Sequence, residues 1–169
     1  MKIPFVLLID GMTGAGKTSV SKLLSTKLPR TAIIGLDKVK FFISDFERGD
    51  RDNGIARTII REMTKIYLDN QISVVIEQPF KSEEVDMYES VAKLHSVSIY
   101  KVQLFTTPEV ALNRVATRQN DWGIQVPEEH IKRNIAYFKS KEERGFKQID
   151  TTLMSVDEVA AGIINLMGV

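Results

Sequence analysis

The chain has 169 residues, 43% of them apolar, which suits one domain spanning 1–169 with a core large enough to fold alone. Lysine and arginine (23) almost cancel aspartate and glutamate (22), so the formal charge of +1 offers no basic surface to nucleic acid or membrane, and a small substrate is the simpler expectation. The absence of cysteine excludes disulfides and thiolate metal sites, and a reducing cytoplasmic setting is expected.

The first element is an apolar run from Ile3 to Ile9 that reads as a buried strand. It could imitate a secretory leader, yet Asp10 closes it, no small-residue cleavage pattern follows, and it is too short to span a bilayer. Directly after it, Gly11, Met12, Thr13, Gly14, Ala15, Gly16, Lys17 and Thr18 fit G-x-x-x-x-G-K-[ST], with Ser19 next in the helix behind them. Glycines let a backbone curl so that successive N–H groups meet a phosphate, and the helix adds the positive end of its dipole. In such a loop the lysine, here Lys17, reaches the β- and γ-phosphates, and the hydroxyl of Thr18 sits on Mg²⁺. A plain glycine-rich turn is the alternative. Strand, spacing, Lys-Thr pair and helix together argue against it.

Further on, Val20, Leu23, Leu24 and Leu28 recur at helical spacing up to Pro29, and a second strand is predicted over Thr31 to Leu36 with Asp37 at its end. Lys38 to Phe46 reads as a short helix, Glu47 to Gly54 as a polar loop, and Ile55 to about Asp69 as a helix burying Ile59, Ile60, Met63, Ile66 and Tyr67. A strand over Ile72 to Ile76 runs into Glu77-Gln78-Pro79, Ser82 is the expected cap of a helix to Leu94, and Ser98 to Phe105 is a fourth strand. Thr107 and Pro108 open a helix to about Arg118, a loop covers Gln119 to Val126, and another helix runs from Pro127 to about Glu143. Lys147 to Asp150 is the last strand and Ser155 caps the last helix, which reaches Met167. Alternating strands and helices predict an α/β fold with a parallel sheet covered on both faces, and ligands at the carboxyl ends of its strands.

Four patterns are similar to one group of P-loop kinases, that of chloramphenicol phosphotransferase, the polynucleotide 5′-kinase domain, zeta-type toxins and gluconate kinases. They are GMTGAGKT after the first strand, GLD at Gly35 to Asp37, Arg114 to Arg118 late in a helix, and Asp150-Thr151-Thr152 before a capped helix. The resemblance spans nearly the whole chain, although only the P-loop is highly specific. It implies a five-stranded sheet ordered 2-3-1-4-5, a lid at about 118–128, and transfer of the γ-phosphoryl of ATP, with Mg²⁺, to a hydroxyl of a small molecule or a nucleic-acid end. No obligatory protein partner is expected. A nucleoside or nucleoside-monophosphate kinase and a nucleotide-binding switch are the alternatives, whereas the guanine signature [NT]-K-x-D of a GTPase is absent.

Each other candidate has two readings. Asp37 is the group's proton acceptor or a cap for the helix from Lys38. Lys40 is a substrate-side cation or a solvated lysine. Glu77 holds a Mg²⁺ water as the partner of Thr18 or is a surface carboxylate, and Gln78 stands where several relatives keep a second acid, which puts that acidic contact to an acceptor in doubt. Arg114 and Arg118, on one helix face, neutralise charge on the transferred group or form a solvated basic face. Thr151 and Thr152 occupy the loop that contacts adenine in the group, largely through backbone. Trp122 in the lid stacks on a base or covers the lid's apolar side. Arg48, Arg51, Arg57 and Arg61 bind an anionic acceptor or pair with the interleaved Asp45, Glu47, Asp50 and Asp52, while His95 reads as a helix C-terminal cation.

Overall fold

The computed structural model describes residues 3–47, 49–117, 127–140 and 145–168. Every residue of the first strand, β1 (Phe5–Gly11), is buried, because helices cover both faces of the sheet. Phe5, Leu7 and Ile9 enter one apolar cluster and Val6 and Leu8 the other, as the two-residue period of a strand requires. Four more strands, β2 (Thr31–Gly35), β3 (Ser73–Glu77), β4 (Ser98–Phe105) and β5 (Lys147–Asp150), complete one parallel sheet ordered β2-β3-β1-β4-β5. That is the order the resemblance implies.

On one face lie α1 (Lys17–Lys27), α5 (Pro108–Thr117), α6 (Glu128–Ser140) and α7 (Val156–Met167), which contribute Leu24, Ala111, Ile135 and Ile163 to the first cluster. The other face carries α2 (Leu36–Lys40), α3 (Asp50–Asp69) and α4 (Ser82–Leu94), contributing Val39, Ile60 and Tyr88 to the second. The register Ile9↔Glu77 and Gly35↔Glu77 aligns the ends of three adjacent strands, so the P-loop, Glu77 and the start of α2 face one cleft.

Several expected boundaries move. The helix after β2 begins at Leu36 with Gly35 as its cap, so Asp37 lies in its first turn and does not cap it. Helix α3 begins at Asp50, inside the expected loop: Asp50 and Asp52 complement its positive end, and Asp52 Oδ2 accepts the Glu47 N–H at 2.7 Å. Its inward stripe is Ala56, Ile60, Thr64 and Leu68, whereas Ile59 and Ile66, expected inside, are 39% and 60% exposed. Lys81 rather than Ser82 precedes α4, and its N–H donates to Glu84 Oε2 at 2.6 Å.

Candidate active site

The P-loop takes its shape from three glycines at positive φ, Gly11, Gly14 and Gly16. Two of them are also fixed by close approach: a Cβ on Gly11 would collide with the Leu104 carbonyl, and one on Gly14 would lie 2.7 Å from the Ala111 backbone. Lys17 Nζ donates to Gly11 O at 2.6 Å and Met12 O at 3.1 Å, so its ammonium is held over the start of the loop. The Thr13 N–H donates to Asn134 Oδ1 of α6 at 2.6 Å, which ties the loop to the helix beyond the expected lid. Met12 and Ala15 are buried, and Ser19 is exposed.

Glu77, at the end of β3, is 7% exposed. Burial pushes its carboxyl up, against the pull of the Lys17 and Lys38 ammonium groups and of hydrogen bonds from Ser21 and Thr18. The fully buried Ser21 Oγ lies 3.1 Å from Glu77 Oε2 and 2.9 Å from Lys17 O. Ser21 was not among the sequence candidates. Its signal is a polar residue one turn after Lys17 on the buried face of α1. The reading of Glu77 as a mere surface carboxylate does not survive this burial.

Arg114 is no solvated cation. Its Nη2 donates to Thr151 O at 2.8 Å, and its Nη1 lies 3.1 Å from Thr151 Oγ1 and 3.4 Å from Gly14 O. The Thr151 hydroxyl, 2% exposed, in turn lies 3.1 Å from both Ala15 O and Phe105 O, so its side chain stitches the loop after β5 to the P-loop. Thr152 Oγ1 donates to Asp150 Oδ1 at 2.6 Å, and that contact, then the Thr152 N–H, holds the Asp150 carboxyl below its ordinary range.

On the opposite side of the cleft Asp37 is exposed and ion-paired at 2.8 Å with Lys40, whose own side chain is 11% exposed and lies over the Phe46 ring at 5.7 Å. Lys40 is therefore a packed cation rather than a solvated one. Gln78 is buried, and its Nε2 donates to Glu84 Oε1 at 3.0 Å. The same Glu84 oxygen pairs with Arg57 Nε at 2.7 Å, and Arg61 pairs with neighbouring Glu62, so neither arginine uses the interleaved acids expected from sequence. Tyr137 of α6 senses this wall: burial and then the carboxylates of Asp10 and Glu84 push its phenol up. His95, at the end of α4, bonds Val91 O and Asp69, as a helix-end residue should. Arg48, Arg118 and Trp122 lie outside the described residues, as does most of the expected lid.

A family profile described as an AAA domain matches residues 6–140. The chain belongs to that family. Its fold is the P-loop kinase-like one, with β3 and its terminal carboxylate directly beside β1. Among solved structures, the tunicamycin resistance protein of Deinococcus radiodurans shares 17% identity over 99% of this chain and 97% of its own, with a TM-score of 0.70. A gluconokinase from Sinorhizobium meliloti shares 17% over 98% and 95%, with a TM-score of 0.66. The Mycobacterium tuberculosis APS kinase, solved in complex with AMPPNP and APS, shares 16% over the full length of both chains, with a TM-score of 0.67. At these identities the likeness is one of fold. No sequence among curated proteins matches the chain.

Proposed function

We propose that this protein is an ATP-dependent phosphotransferase that moves the γ-phosphoryl of Mg-ATP to a hydroxyl of a small molecule. The observation that carries the reading is the convergence, at three adjacent strand ends, of the P-loop with Lys17, the buried carboxylate Glu77 and the acid Asp37. Residues Gly11 to Ser19 hold the phosphates, and Arg114, Thr151 and Thr152 hold the nucleotide end of the cleft. Thr18 and Glu77 are hard oxygen donors in hydrogen-bond contact, a donor set that fits Mg²⁺, and these two residues would hold the ion. Bound there, the ion would neutralise charge on the phosphates.

In the transfer, the acceptor's hydroxyl oxygen attacks the γ-phosphorus and its proton passes to the Asp37 carboxylate. The bond from that phosphorus to the β–γ bridging oxygen breaks, and its electron pair leaves on ADP. Lys17 meets the charge on the phosphates, Arg118 meets that on the transferred group, and Lys40 fixes Asp37. Among the described residues no helix is long and apolar enough to cross a membrane, and we place the enzyme in the cytoplasm, where ATP is plentiful.

Single-turnover transfer from labelled ATP to a panel of sugars, nucleosides, antibiotics and oligonucleotide ends tests the reading. Lys17→Ala should cut transfer by about 10²- to 10³-fold with the fold intact. Absence of transfer to every acceptor by the parent protein, with ATP bound tightly, would reassign it to a nucleotide-binding switch.

A further inference from the structure

Among the described residues, three buried side-chain polar atoms have no hydrogen-bond partner: Asn53 Oδ1, Arg57 Nε and Gln78 Oε1. They belong to one wall. Asn53 and Arg57 are one turn apart on α3, hence on the same face. Arg57 Nε reaches Glu84 Oε1 at 2.7 Å as an ion pair without an aligned hydrogen bond, Arg57 Nη2 lies 3.5 Å from Pro79 O, and Gln78 Nε2 shares the same Glu84 oxygen. Beside the wall, Arg57, Arg61, Glu83 and Glu84 line an open cleft of about 310 Å³ between α3 and α4. Buried polar atoms are almost always paired in folded proteins, and with Arg57 Nε held by Glu84 it is the two amide oxygens, Gln78 Oε1 just after β3 and Asn53 Oδ1 in the first turn of α3, that call for an explanation.

We infer that this wall reads the acceptor, and that the acceptor is a neutral molecule carrying several hydroxyls, whose further hydroxyls donate to Gln78 Oε1 and Asn53 Oδ1 while one undergoes transfer. This rests on the phosphotransferase reading. Two of the orphans are amide oxygens, which require a donor and cannot be satisfied by phosphate or carboxylate. The cations that would favour an anion are already engaged, Arg57 by Glu84 and Arg61 by Glu62, and the exposed Glu83 on the cleft would repel a phosphate monoester. Gln78 thus stands where an ionised acid would have favoured a cationic group, and it selects for hydroxyls instead. Glu84 and Arg57 position the Gln78 amide without touching the reacting atoms.

Matched pairs test this directly: ribose and ribose 5-phosphate, glucose and glucose 6-phosphate, adenosine and AMP, each titrated calorimetrically with Mg²⁺ and a non-hydrolysable ATP analogue. The neutral member of at least one pair should bind at least tenfold more tightly than its phosphate ester. Gln78→Met and Asn53→Leu should each weaken that binding about threefold to tenfold, the usual worth of one neutral hydrogen bond, while leaving affinity for the ATP analogue unchanged. Asn53, partly exposed on α3, supplies the answer should Gln78→Met fail to fold. Tighter binding of phosphate esters, no binding of any neutral member, or neutral binding indifferent to both substitutions would each overturn the assignment. Transfer is scored separately, since binding without transfer would overturn the kinase reading and leave the wall's ligand standing.

Discussion

Gly35 on β2 and Glu77 on β3 are register partners, and the missing side chain of the first is the space occupied by the carboxylate of the second: a Cβ at residue 35 would lie 2.6 Å from Glu77 Oε1 and 3.2 Å from its Cγ. The backbone of Gly35 is extended, so alanine would fit its dihedrals and the conflict is with Glu77 alone. Gly35→Ala should therefore cost about 1–3 kcal/mol in denaturant unfolding, the range for overpacking a filled interior, and should slow transfer by displacing the carboxylate beside Thr18. Shortening the partner in Gly35→Ala/Glu77→Asp should recover part of the stability. Unchanged stability in the single variant would mean that Glu77 has room to move, and would release it from the fixed position argued above.

The hydroxyl of Thr151 offers a sharper test of the link between the P-loop and the loop after β5. Thr151→Val keeps shape and removes the hydroxyl contacts to Ala15 O, Phe105 O and Arg114, but Phe105 O keeps the Thr151 N–H and Arg114 keeps Thr151 O, so it should destabilise by about 0.5–1.5 kcal/mol, the net worth of a hydrogen bond. Thr151→Ser should retain most of the stability. If valine behaved like the parent in equilibrium unfolding, the stitching role would belong to the Arg114–Thr151 O contact alone.

Asp150 supplies a pH dependence whose sign follows from its partner. The Thr152 hydroxyl, then the Thr152 N–H, lowers the Asp150 carboxyl from an ordinary value of 3.8, so its contribution to stability is present above that value and is lost as pH falls through the lower folded one. Thr152→Val should move the Asp150 midpoint, followed by carboxyl chemical shift in NMR, back toward 3.8. The pH-dependent part of the difference in melting temperature should vanish in acid and persist at neutral pH. A midpoint unmoved by the substitution would assign the shift to the N–H.

Elements whose signal is local were legible in the sequence. The P-loop, the buried β1 and the Ser155 cap each rest on a few adjacent residues, and Ser155 caps the last helix as expected, with Glu158 completing a capping box that was not foreseen. Strand order followed from resemblance rather than from any residue pattern. The misplaced start of α3 shows the opposite case: a run rich in Asp, Arg and Gly reads as loop, yet its acids suit a first helical turn and its inward face is fixed only by what it packs against. Most of the site's connections were invisible for the same reason. Ser21 to Glu77, Thr13 to Asn134 and Arg57 to Glu84 join residues far apart in sequence, and nothing in one chain's residue order says which distant polar groups will meet.

The role of Asp37 is where the kinase reading is most exposed to disproof. Its side chain is 78% exposed, among the described residues its one ion pair is with Lys40, and the cap of α2 is Gly35, so no structural duty seen there explains an acid beyond a favourable place in the first helical turn. Asp37→Asn keeps the shape and removes the basicity. Because the carboxylate end of the pair is exposed and the asparagine amide oxygen can still accept from the packed Lys40 ammonium, the loss of stability should stay at about 1 kcal/mol. Phosphoryl transfer should fall by about 10²- to 10⁴-fold if the carboxylate takes the hydroxyl proton, while affinity for ATP stays constant because Asp37 lies across the cleft from the P-loop. Lys40→Met gives an independent check: it leaves the acid and removes the ammonium that fixes it, so it should lower the transfer rate less than Asp37→Asn does. Full single-turnover activity in a well-folded Asp37→Asn protein would remove Asp37 from the chemistry, and the hydroxyl proton would then have to leave by another route, with Glu77, the carboxylate that ends the neighbouring strand β3, the next residue to test.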